Sequence, residues 1–208
     1  MSKALFDAIR AIKGSALTQA DVDLVNRSLG VAVAAAAPGA GGMGVSRKAI
    51  DLIHSFETLK LTAYKDPGSR NGLPITIGWG STSDLQGRPV AMGTVWTKEY
   101  ADAKFAQDLA KFELGVNLLL GGPKALGGPR TTQNQFDALV SFAYNVGLDN
   151  DGDEKAEGLG DSTLLKRHKL GDYPGAEEAF MSWVFNDGKK MNGLIRRRAA
   201  EAALYGAA

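Results

Sequence analysis

No cysteine occurs in the 208 residues. That excludes a disulfide framework, a thiolate nucleophile and a cysteine-based zinc site. Neither sign of charge prevails: 24 lysines and arginines face 23 aspartates and glutamates, for a net charge of +1. Electrostatics alone therefore nominates no nucleic-acid partner. Long apolar runs are lacking too. The stretch from Val31 to Gly42 is mostly alanine and glycine and contains Pro38, which makes it too short and too flexible to cross a bilayer. The first ten residues intersperse charges with apolar side chains, where a secretory signal has an unbroken apolar core. The expectation is synthesis in a reducing cytoplasm, with no membrane anchor. What is present, 44% hydrophobic and 23% charged residues, suits a soluble protein with one core and a small appendage.

Apolar spacing predicts that appendage as a helix pair. Leu5, Ile9 and Ile12 share one face, and Val22, Val25 and Leu29 follow a helix start near Thr18. Gly30 to Gly44 has linker composition, so residues 1–44 are expected to stand apart from a main domain over 45–208. In that domain Ser46 is a candidate N-cap for a helix through Phe56. Thr97 caps a long pattern (Ala101, Phe105, Leu109, Phe112, Val116, Leu119) that marks the central core helix. Thr132 and Gln135 form a capping box for a helix through Val146, closed by Gly147. Shorter helices are predicted from Asp161 or Ser162 to Gly171, over Ala176–Phe185 and over Leu194–Tyr205. A hairpin is predicted from Leu61–Tyr64 and Ile75–Ile77 around a Pro/Gly-rich turn. The fold class is therefore α+β, mostly helical with one small early sheet.

The stretch from Phe56 to Gly80 carries the chemistry. Glu57 ends a helix, Asp66 sits at a turn and Thr76 lies inside an alternating strand. Two carboxylates and a hydroxyl so placed read as a hydrolytic site. Taken alone, a Glu at a helix end and an Asp in a turn are more often a solvated pair than a catalytic one.

Four motifs decide between these readings. Glu57 to Gly80, Gln135 to Gly147, Ser162-Thr163-Leu164-Leu165 and Gly193 to Glu201 together resemble the phage-type lysozymes, the endolysin muramidases of glycoside hydrolase family 24. The resemblance covers roughly residues 46 to 206. It implies a lysozyme-like fold, a catalytic set of Glu57, Asp66 and Thr76, and cleavage of peptidoglycan between N-acetylmuramic acid and N-acetylglucosamine, with inversion favoured. It also implies that Tyr144 and Asn145 face a substrate groove, with Trp183 and Arg196 as further saccharide or stem-peptide contacts. No cofactor and no metal are implied, and a monomer is expected. Release to the periplasm through a holin-type lesion is implied by the family.

The sequence departs from the family at three points. Nine residues separate Asp66 from Thr76, more than is usual, so a turn insertion is expected to lengthen the hairpin. Thr58 stands where glycine is common. Trp79-Gly80-Ser81 replaces Tyr-Gly-His, which removes a side-chain pairing made by the histidine. Of Arg196, Arg197 and Arg198, one is expected to be salt-bridged and one to reach the groove, while His54 reads as a spectator and His168 as unpartnered. The run Asp149 to Glu154 fails the calcium-loop pattern, with Glu154 at the sixth position and Gly160 at the twelfth, and reads as an acidic surface loop. The rival functions are a lytic transglycosylase using Glu57 alone and a non-catalytic wall-binding protein.

Overall fold

The structure is a computed structural model that describes residues 42–66, 72–121, 131–149 and 157–207. The predicted N-terminal helix pair, most of the linker and the core of the acidic loop lie outside them. In chain order the elements are α1 (Arg47–Phe56), β1 (Lys60–Lys65), β2 (Ile75–Gly78), α2 (Lys98–Leu119), α3 (Gln133–Val146), α4 (Thr163–Lys169), α5 (Tyr173–Ala179), a 3-10 turn (Phe180–Ser182), β3 (Phe185–Asn186), β4 (Lys189–Lys190) and α6 (Asn192–Gly206). This is the predicted α+β class, mostly helical with a small early sheet. The chain divides into two compact units, one over Ile53–Lys111 and one from the residues on either side of it.

The Ile53–Lys111 unit is built on a two-stranded sheet with the segment Thr94–Trp96 bridged to its edge. β1 and β2 are antiparallel, with Lys60 opposite Gly78, Tyr64 opposite Thr76 and Lys65 opposite Ile75, and an irregularity between the first two pairs. On the other edge of β1, Ala63 N–H donates to Thr94 O at 2.9 Å and Trp96 N–H to Leu61 O at 2.8 Å. Alternation turns Ala63 and Ile77 inward, where they pack with Trp96 and Ala101; Leu59, Ile75, Trp79, Val90 and Tyr100 border that core. Gly78 has a φ of +66°, and a Cβ there would sit 3.1 Å from the Trp96 ring, so both conformation and space select glycine. Thr97 starts α2 as predicted, its Oγ1 accepting from Tyr100 N–H at 3.2 Å.

In the other unit α3 holds the centre. Ten consecutive residues, Asn134 to Ala143, are buried, and the Thr132–Gln135 capping box forms as predicted. The sequence pattern points to α2 as the core helix, and its Ala101, Phe105, Leu109, Val116 and Leu119 are indeed buried. Among the described residues, though, α3 alone has such an unbroken buried run, because Phe136-Asp137-Ala138-Leu139-Val140-Ser141-Phe142-Ala143 is apolar all round apart from two hydrogen-bonded side chains. Asp137 accepts from Ser46 N–H at 2.9 Å, from the Ser46 hydroxyl and from Gln133. Ser141 donates to Glu201 at 2.8 Å. Residues just before α1 are tied down in the same way. Met43 N–H donates to Asn117 Oδ1 at 2.8 Å, Asn117 Nδ2 donates back to Met43 O at 2.7 Å, and Val45 N–H donates to Glu113 at 2.7 Å.

The helix predicted over Ala176–Phe185 is corrected. Asp172 caps α5, which begins three residues earlier than expected and ends at Ala179. Beyond the 3-10 turn, β3 and β4 form a hairpin around Asp187 and Gly188, whose φ values of 48° and 73° suit a primed turn.

Candidate active site

Glu57, Asp66 and Thr76 all fall in the Ile53–Lys111 unit. Glu57 extends α1 by one bond, its N–H donating to Ile53 O at 3.0 Å, and its side chain is half-buried. Gly80, with a φ of +95°, passes so near that a Cβ there would lie 3.5 Å from Glu57 Oε2. Asp66 follows β1 directly and is half-buried. Thr76 is buried at 8% exposure and donates its hydroxyl to Pro74 O at 3.2 Å. Tyr64 links the three. It is the cross-strand partner of Thr76, and burial together with the negative charges of Glu57 and Asp66 pushes its phenol above the ordinary value. Lys60 Nζ lies 4.8 Å from the Tyr64 ring centre, a cation–π contact.

The turn after β2 is held by residues that sequence reasoning underrated. His54, expected to be a spectator, stacks on Trp79 with ring centres 3.9 Å apart and planes at 14°, and touches Phe105 at 4.5 Å. Trp79 Nε1 donates to Asp102 at 2.8 Å, and Lys98 reaches the other oxygen of that carboxylate. Those two hydrogen bonds hold Asp102 below the usual carboxylate range. Ser81, which stands where the family has histidine, has a pairing of its own: Oγ donates to Asp108 Oδ2 at 2.9 Å. Asp108 also accepts from Lys104 and Lys111. Burial pushes Asp108 up, but the two lysine hydrogen bonds outweigh it and hold the carboxyl below its usual value.

The four predicted substrate contacts lie in the other unit. Tyr144 is half-buried against Phe112, with centroids 5.2 Å apart. Asn145 is exposed, and its Oδ1 accepts from Arg198. Trp183 packs edge-on against Phe142 at 5.3 Å, and its carbonyl accepts from Arg198 Nε at 3.2 Å. Arg196 is exposed. The expectation of a single salt-bridged arginine is corrected, since Arg197 and Arg198 are both buried and both pair with the buried Glu201. One carboxylate on the next turn of α6 serves two guanidinium groups, which composition of the motif alone did not reveal. His168 also has partners, Tyr205 and Thr131, at 2.6 and 2.9 Å.

The fold and the comparisons with known proteins define a lysozyme-like glycoside hydrolase. A family model described as phage lysozyme matches residues 54–201. An endolysin of Acyrthosiphon pisum secondary endosymbiont phage 1 is 35% identical over 167 residues, 78% of this chain and 98% of the relative. An endolysin of Bacillus phage B103 is 37% identical over 163 residues, and the match spans only 54% of that longer protein. Among solved structures, an endolysin from an Escherichia coli O157:H7 phage, FAHEc1, superposes with a TM-score of 0.63 at 40% identity, covering 79% of this chain and 94% of the other. The chain belongs to the phage lysozyme family. It is a peptidoglycan-hydrolysing muramidase of the endolysin type.

Proposed function

We propose that the chain cleaves the β-1,4 bond between N-acetylmuramic acid and N-acetylglucosamine with inversion, in host-cell lysis. Glu57 delivers a proton to the departing glycosidic oxygen. Asp66 takes a proton from the water that attacks the anomeric carbon from the opposite face, and Thr76 holds that water. The observation that carries this reading is Tyr64: a single side chain feels the charges of both Glu57 and Asp66 and pairs across the ladder with Thr76. The Thr76 proton is engaged by Pro74 O, so its oxygen lone pairs face the role of accepting from water.

Substrate is held by Tyr144, Asn145, Trp183 and Arg196. Arg198 occupies the Asn145 carbonyl oxygen, which orients the amide NH2 to donate to an acetamido carbonyl. Asn145 and Arg196 are exposed and accessible to polymer. Among the described residues no helix is long and apolar enough to cross a membrane. Passage to the wall through a holin-type lesion, and action as a monomer, complete the reading.

The test is clearance of outer-membrane-permeabilised cells by Glu57→Gln, expected to be abolished; unchanged clearance would remove Glu57 as the acid. Proton NMR of a fresh digest is expected to show the α-anomer first. A β-anomer would indicate retention, and a dominant anhydromuramyl product in mass spectra would replace hydrolysis by transglycosylation.

A further inference from the structure

The turn Gly78–Ser81 is tied to α2 by a hydrogen bond to a half-buried aspartate, Asp108, which is ion-paired with a buried lysine, and neither of these side chains takes part in the reaction above. Ser81 and Ile77 exchange backbone hydrogen bonds, each 2.9 Å, which closes the turn on itself. With its N–H and C=O so engaged, Ser81 has its hydroxyl left to reach α2, and it spends that donor on Asp108 at 2.9 Å. Behind Asp108 lies Lys104, a full ammonium-bearing side chain at 1% exposure. Burying a lysine is costly, and a buried ion pair is weak evidence for stability, because an apolar pair of similar volume often does as well or better. What a charge-assisted hydrogen bond adds over an apolar contact is direction.

We propose that Ser81, Asp108 and Lys104 form a positioning clamp that sets the backbone of Gly80 against the Glu57 carboxyl and holds Thr76 in register. The inference rests on Glu57 and Thr76 doing the chemistry. Two observations show what the clamp steers. Gly80 immediately precedes Ser81, and a side chain begun at Gly80 would meet Glu57 Oε2, its Cβ 3.5 Å away. Thr76 immediately precedes Ile77, the residue to which Ser81 is doubly bonded. A shift of the Ser81 hydroxyl thus moves the chain on both sides of the site by one residue's leverage. The Trp79–Asp102–Lys98 contact is a second, more exposed grip on the same turn. Small displacements of reacting groups are expensive in rate, so the clamp acts on turnover and leaves distant saccharide contacts alone. All three are positioning residues, acting through Gly80 and Thr76.

The experiment is steady-state kinetics of the full chain on peptidoglycan for Ser81→Ala, Ser81→Thr and Asp108→Asn, beside Glu57→Gln, with folding checked by near-ultraviolet circular dichroism. Ser81→Ala is expected to lower kcat about tenfold, or about 1.4 kcal/mol of barrier, with KM within about twofold of the parent. Ser81→Thr, which keeps the hydroxyl, is expected to recover kcat to within about threefold. Asp108→Asn provides the second probe if Ser81→Ala misfolds, and it is expected to lower kcat in the same sense. Parental kcat in folded Ser81→Ala or Asp108→Asn, with only a lower melting temperature, would overturn the clamp while an inactive Glu57→Gln left the site reading standing. An active Glu57→Gln would overturn both.

Discussion

Tyr64 and Thr76 face each other across the β1–β2 ladder, and Asp66 follows two residues after Tyr64. The strand pairing thus ends at Lys65 and Ile75, next to the aspartate. Thr76→Val keeps shape and burial but deletes the hydroxyl. We expect kcat to fall by about a hundredfold with stability changed by about 1 kcal/mol or less, the worth of one hydrogen bond. Kinetics and urea melts of the same sample check both halves.

The phenol of Tyr64 reports on the carboxylates. Burial first, then Glu57 and Asp66, raise its pKa, so removing either negative charge should lower it. Glu57→Gln and Asp66→Asn are each expected to move the alkaline ultraviolet titration of one tyrosine to lower pH. A titration that does not move in either variant would separate Tyr64 from the carboxylates.

His168 makes stability pH-dependent. Burial, with a smaller contribution from Lys169, lowers its pKa from 6.5 to about 4. The folded state then holds a neutral imidazole where the unfolded chain binds a proton. Its contribution is fully present above about pH 6.5, declines as pH falls towards 4 and is flat below that. The slope is at most about 1.4 kcal/mol per pH unit. Urea melts of parent and His168→Gln between pH 7 and 4 should show a shallower decline for the variant.

Glu201 neutralises two buried guanidinium groups. Glu201→Gln removes the carboxylate that both share, and a loss of about 3–5 kcal/mol is expected. That corresponds to a melting temperature lower by roughly 10 °C. The paired replacement Arg198→Met with Glu201→Leu should cost less than the single change if the uncompensated charge is the cause.

The elements were legible where one signal dominated. Thr132 with Gln135, Ser162 and Thr97 mark helix starts because a cap is a local bargain between one side chain and one backbone N–H. Phage-lysozyme character was legible in four motifs in order. What escaped was set by partners distant in sequence. Lys104 reads as one more solvated helix lysine, and only the fold shows that Asp108 and burial claim it. His168 finds Tyr205, 37 residues away. The β3–β4 hairpin was missed although Asp187-Gly188 signals it, because two-residue strands have no periodicity to read.

The strap before α1 bears on how the protein can be shortened. Met43, Val45 and Ser46 occupy Asn117, Glu113 and Asp137, and the Gly44 carbonyl accepts from Gln133 at 2.9 Å. Burial already pushes the Glu113 carboxyl up, and the Val45 N–H is the contact that opposes this. A truncation that opened at Val45 would place a charged amino terminus on that carboxylate and strip the two Met43 bonds from Asn117, leaving its bond to Glu113 O. One that opened at Gly42 would keep the latch, so three residues of extra length separate a clean excision from one that exchanges a backbone amide for an ion.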